Sequence, residues 1–162
     1  MDDVQESINK KNYSGALYLM NEKFEKSVPN KEELERYSKI YNKGKKYFLS
    51  KNDLKKAYRM DELYLQLPSN IREKLPKIQV DINKHNEDAK TIGKNQYEKA
   101  KSMKENTFRE RAAKYIEYSK VLCYDESIRD TILTDRKKIE DKIEKTMDYK
   151  IIGGNDELLN SK

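Results

Sequence analysis

Lys10-Lys11-Asn12-Tyr13-Ser14-Gly15-Ala16, Lys51-Asn52-Asp53-Leu54-Lys55-Lys56-Ala57 and Lys94-Asn95-Gln96-Tyr97-Glu98-Lys99-Ala100 are three versions of one phrase. A phrase that returns marks a repeated supersecondary unit, and repeats turn the fold into a matter of stacking. A chain built this way is usually a binding surface rather than a reaction vessel.

Helical periodicity surrounds the phrase. In 31–50 the residues Leu34, Tyr37, Tyr41, Gly44 and Phe48 recur at three and four, which places them on one face of an amphipathic helix. Segment 53–67 repeats the behaviour with Leu54, Ala57, Tyr58 and Leu65. From Pro76 to Lys104 the series Ile78, Ile82, His85, Ala89, Ile92, Gln96, Ala100 and Met103 predicts one long helix. Pro76 suits its first turn, where a missing N–H costs nothing. The third copy of the phrase falls inside that helix, so either Gly93 breaks the helix or the match at Lys94 is coincidental; the continuous helix is favoured.

Segment 107–124, with Phe108, Ala112, Tyr115, Ile116, Ser119 and Leu122, predicts another helix. A last one over about 126–148 carries Ile128, Ile132, Ile139, Ile143 and Met147 on one stripe, suited to capping a stack. The breaks fall at Val28-Pro29-Asn30, Ser50-Lys51-Asn52, Leu67-Pro68-Ser69-Asn70 and Lys104-Glu105-Asn106. Proline disfavours helix in the residue before it, and Asn or Ser caps the helix that follows. No useful strand alternation occurs, so the expected fold class is all-α, built of antiparallel helix hairpins.

These residues resemble the tetratricopeptide repeat, a helix pair with small residues at the crossing and a proline turn before the next unit. Tyr41, Gly44 and Phe48 fall near the first-helix positions, Leu54 and Ala57 open the second helix, and Leu67-Pro68-Ser69-Asn70 resembles the closing turn. Ala100 and Met103, then Phe108, Ala112 and Ile116, form a similar unit, and Tyr13, Ala16, Met20 and Pro29 the second half of an N-terminal one. Small residues at a crossing let two backbones approach. The spacing departs from the family period of about 34: Ala16 to Ala57 is 41 residues and Ala57 to Ala112 is 55. The resemblance implies one TPR-like α-solenoid domain over 1–148 with a C-terminal capping helix, and a mobile tail over 149–162.

Composition bounds the function. The 162 residues are 40% charged and 35% apolar, with a net charge of +6. Residues 31–60 hold ten Lys/Arg and four acids, so this stretch carries the whole excess and the remainder is neutral. The longest apolar run, Ala16–Met20, is far below the roughly 20 residues of a membrane span. The N-terminus lacks the pattern of a signal peptide. A cytoplasmic protein is expected, or a periplasmic one if an export signal has been removed. The richness in Lys, Asn, Ile and Tyr hints at an AT-rich, bacterial genome.

Catalysis has little foothold. His85 is the only histidine and Cys123 the only cysteine. No second base or ligand accompanies either, and each reads as a packed core residue. The five glycines form no phosphate-cradling loop. No enzyme, metal or cofactor is expected.

Lys39, Asn42, Lys43 and Lys46 recur at three and four and share a face beside the apolar stripe. By resemblance, that face with Lys101 on a later helix lines a groove for a partner's acidic segment. Ammonium and amide groups give carboxylates charge-assisted hydrogen bonds. The 12 tyrosines, against 3 Phe, suit a half-wet binding surface. The expectation is a non-catalytic protein-binding adaptor or scaffold. The alternatives are a nucleic-acid-binding helical protein, disfavoured by the scarcity of Arg, and a structural subunit docking through its C-terminal helix.

Overall fold

The computed structural model describes residues 2–151, with side chains through Lys145. Among the described residues the regular structure is helical with no strand, and the chain is all-α. Contacts divide it after Asp88 into two compact units.

The first unit is built on α1 (Asp3–Asn9), α2 (Tyr13–Lys26), α3 (Lys31–Ser50) and α4 (Leu54–Leu65). The helix α1 packs on α2, α3 packs on α4, and α2 touches both α3 and α4. The repeated phrase makes the two hairpin turns. Lys11 (φ 62°) and Asn52 (φ 56°) occupy the left-handed region at matching positions, a conformation uncommon outside glycine and easier for Asn than for Lys. The next residue then caps the following helix. Asn12 Oδ1 accepts from the Gly15 amide at 3.0 Å, and Asp53 Oδ1 from the Lys56 amide at 3.1 Å. Such a cap contributes about 1 kcal/mol.

The 31–50 helix has the predicted boundaries, opened by a reciprocal cap between Asn30 and Glu33. Its apolar stripe joins Tyr13, Leu17, Met20, Met60 and Leu63 in a continuous core. Gly44 sits where α2 comes closest: an added Cβ would lie 2.5 Å from Tyr13 Cβ and 2.6 Å from Met60 Cε.

After α4 comes the short α5 (Ser69–Arg72) and a run of turns. Ile71, Leu75 and Ile78 seal the core of this unit from there. The long helix expected from Pro76 therefore starts later, as α6 (Ile82–Ser102). Asp81 supplies its start, with Oδ1 accepting from the Lys84 amide at 3.2 Å. Ile78 and Ile82 have the helical spacing but opposite fates: Ile78 is 4% exposed and Ile82 49%. The helix continues through Gly93, so the phrase at Lys94 makes no turn. Gly93 meets the chain closely, since a Cβ there would lie 2.9 Å from Asp125 Cβ.

The second unit combines the later part of α6 with α7 (Phe108–Val121), a 3₁₀ turn at Glu126–Ile128, and α8 (Arg129–Ile151). The last helix thus opens with a 3₁₀ turn where a single helix from 126 was expected. Ala100, Tyr118, Val121, Ile132 and Ile139 form the core, with Tyr97, Tyr115, Ile128 and Ile143 packed against it. The face expected for α7 needs correction. Phe108 is 48% and Ile116 54% exposed, and Ala112 is half-buried. The buried stripe is Lys114, Tyr118 and Val121. Lys114 donates to the carbonyls of Lys101 (3.3 Å) and Met103 (3.0 Å) and pairs with Glu105 at 3.0 Å. The open carbonyls at the end of a helix attract a cation, and this rotates the buried face of α7.

Cys123 is exposed rather than buried, because it follows the last turn of α7 in the connection to the 3₁₀ turn. The Met147 side chain and the tail beyond Ile151 lie outside the described residues. No helix among the described residues is long and apolar enough to cross a membrane.

Candidate functional site

The two sides of α3 differ chemically. Tyr37, Ile40, Tyr41, Gly44 and Phe48 are buried, whereas Lys39, Asn42, Lys43 and Lys46 are all exposed. These four make no hydrogen bond, ion pair or ring contact with any described residue. Lys45, one position away, behaves differently. Its Nζ is held by the Asp61 carboxylate at 2.8 and 2.6 Å and lies 5.8 Å from the Tyr41 ring centroid. The helix thus separates a lysine spent on internal structure from three whose charge faces solvent.

Asp61 anchors the inner side. The Tyr41 hydroxyl donates to it, and burial, with the Asp61 contact added, pushes that hydroxyl well above the usual tyrosine range. His85 Nδ1 lies 3.7 Å from Asp61 Oδ2, and its ring stacks on Tyr58 with centroids 4.1 Å apart. The lone histidine is a packed, buried residue, as its place on an apolar stripe implies. Asp61 was missed by the sequence reading, although a signal existed: it interrupts the stripe Ala57, Met60, Tyr64 at helical spacing. Among the described residues no group of three or more His, Cys, Asp or Glu converges to hold a metal.

The C-terminal end of α3 extends the positive surface. Lys11 and Lys51, one from each hairpin turn, place Nζ 6.0 and 5.8 Å from the Tyr47 ring centroid. Sequence reasoning did not bring these two lysines together, because only the stacking of the hairpins does.

Lys101 belongs to the second unit, exposed on α6 with Nζ 5.3 Å from the Tyr97 ring centroid. The face on α3 is therefore Lys39, Asn42, Lys43 and Lys46. Of the residues expected at repeat crossings, Ala16, Tyr41, Gly44, Phe48, Ala57 and Ala100 are buried, Leu54 and Ala112 are half-buried, and Phe108 is exposed. Compared with known proteins, the chain matches no family model, no curated protein and no solved structure.

Proposed function

We propose that this chain is a non-catalytic adaptor of TPR-like helix hairpins that binds an acidic segment of a protein partner along α3. One observation carries the reading: Lys39, Asn42, Lys43 and Lys46 stand unpaired among the described residues on one face of a helix whose opposite face is locked in a core. The family resemblance is supported by two stacked hairpins that share one turn phrase and cross at Gly44.

Spacing narrows the partner. Lys39 and Lys46 are seven residues apart, about 10 Å along a helix. An extended segment rises about 3.3 Å per residue, so carboxylates three residues apart meet both lysines.

The test is fluorescence anisotropy with a labelled Glu-rich peptide carrying acids at that spacing. The Lys43→Glu/Lys46→Glu variant should bind about tenfold or more weakly, the loss of one charge-assisted contact. Lys90→Glu/Lys94→Glu, with the same change in net charge, should bind as wild type. Equal weakening by both pairs would reduce the effect to overall charge and sink the assignment. Nucleic acid is the weaker reading, since only seven of the 35 basic residues are Arg. A steep salt dependence with duplex or single-stranded probes would favour it.

A further inference from the structure

In the second unit, the outward edge of α7 is apolar. Phe108, Ala112 and Ile116 follow one another at intervals of four, which lines them up along one edge of the helix. Phe108 and Ile116 are exposed and Ala112 is half-buried. Beside this edge lies an open groove of about 440 Å³, walled by Ala112, Tyr115 and Ile116 of α7 and by Glu140 and Ile143 of α8. Single exposed apolar side chains need no explanation, but a row of them beside an apolar groove marks a docking surface.

The row is self-complementary. Ala112 stands at its centre with a large side chain four residues to either side. A two-fold axis at Ala112 would set α7 antiparallel to the α7 of a second copy, the commonest symmetry of paired chains. Ala112 then meets the partner's Ala112, and Phe108 meets the partner's Ile116 at both ends. The small residue at the crossing lets the two backbones approach, and the large ones fill the space on either side.

The charges agree with the same register. Helices α7 and α8 run antiparallel, since Arg136 donates to Ser119 Oγ at 3.3 Å and Ala112 faces Ile143 across the groove. Glu140 is therefore level with Tyr115. In the two-fold pair Arg109 also falls level with the partner's Tyr115, and hence with the partner's Glu140. Arg109 lies on the side of α7 away from its own α8, beside Met103, Lys104 and Ala113, which is the side the second copy's α8 would flank. Arg109 is exposed, and neither it nor Glu140 makes a hydrogen bond or ion pair with a described residue. Glu140 otherwise acts through its charge on Lys137 of its own helix.

We propose that the second unit pairs with a second copy of this chain, α7 against α7 about a two-fold axis at Ala112, with Arg109 bridged to the partner's Glu140 twice over. The lysine face of α3 belongs to the first unit and has no part in this contact, so either proposal can fail alone.

The test is sedimentation equilibrium of the intact chain over a concentration series. Wild type should pass from monomer to dimer, and Ile116→Lys, at an exposed position, should raise the dissociation constant about tenfold or more with the melting temperature unchanged. Arg109→Glu should weaken the dimer about tenfold, because two contacts turn repulsive in a symmetric pair, and Arg109→Glu/Glu140→Arg should restore it. In a Cys123→Ser background with oxidised glutathione, Ala112→Cys should give a disulfide-linked dimer. Ile116→Cys should not, since its two copies stand about 12 Å apart along the helices, beyond disulfide reach. A monomer at every concentration, or a dimer indifferent to Ile116→Lys, would overturn the pairing and leave the groove to the chain's own residues 152–162 or to a different protein. Linkage through Ile116→Cys instead of Ala112→Cys, or no recovery in the Arg/Glu exchange, would overturn the two-fold arrangement.

Discussion

At Gly44 the backbones of α2 and α3 come close enough that a single methyl has no room, since an added Cβ would meet Tyr13 Cβ at 2.5 Å. Met60 Cε can swing away, but Tyr13 Cβ moves only with its helix. Gly44→Ala therefore gains up to about 1 kcal/mol of helix propensity and loses about 1–3 kcal/mol to overpacking. A lowered melting temperature is expected, read by circular dichroism; an unchanged or raised value would mean the crossing is looser than these distances. Asp61 is the second sensitive position. Asp61→Ala leaves the buried Tyr41 hydroxyl without its acceptor and Lys45 without its carboxylate. Lys45 retains some solvent access, so the expected loss is about 2–3 kcal/mol, below that of a fully buried pair. Denaturant unfolding of Asp61→Ala beside Lys45→Met measures it, and the lysine variant should cost at least as much, because it strands the buried Asp61 carboxylate without its cation.

The second unit is tied together by contacts between elements. The Tyr97 hydroxyl on α6 donates to Asp135 on α8 at 2.7 Å, and this bond, with some burial, pushes it up to about 12. A hydroxyl raised above the ordinary value of about 10 favours folding while it stays protonated. That contribution is complete below pH about 10 and is lost as pH rises through 12. Tyr97→Phe should flatten stability between those limits, measured by denaturant midpoints across alkaline pH, whereas wild type declines. The carboxylate of Glu105 shows the opposite sign. Lys142 first, then Lys114, hold it below its usual range, so its contribution is present above the unfolded value of about 4.3 and fades as pH falls through the lowered folded value. Lys114 itself caps the end of α6, and that contact explains why α7 buries Lys114, Tyr118 and Val121 instead of the stripe through Phe108 and Ile116. Counting apolar residues cannot find such a face, because the deciding interaction is a cation reaching carbonyls on another helix.

Across the whole molecule, a division after Asp88 implies local rather than global responses to local damage. Gly44→Ala should speed hydrogen exchange of amides in α2, α3 and α4, and leave α7 and α8 at wild-type protection. Uniform loss of protection would show one cooperative body. Helix class, the 31–50 element and both hairpin turns were legible in the sequence, because periodicity, caps and turn residues act over a few neighbours. The exposed lysine face was legible for the same reason, as a pattern on a single helix. The start of α6 at Ile82 was not, since Ile78 fits the helical series and only the core of the first unit claims it from a turn. Nor was the exposure of Cys123, the pairing of Lys45 with Asp61, or the meeting of Lys11 and Lys51 at Tyr47. The sequence by itself determined the helical class, the 31–50 helix and which residues of that helix share a face. Tertiary structure alone decided which faces are buried and which lysines keep their charge for solvent, because burial and pairing depend on residues far apart along the chain.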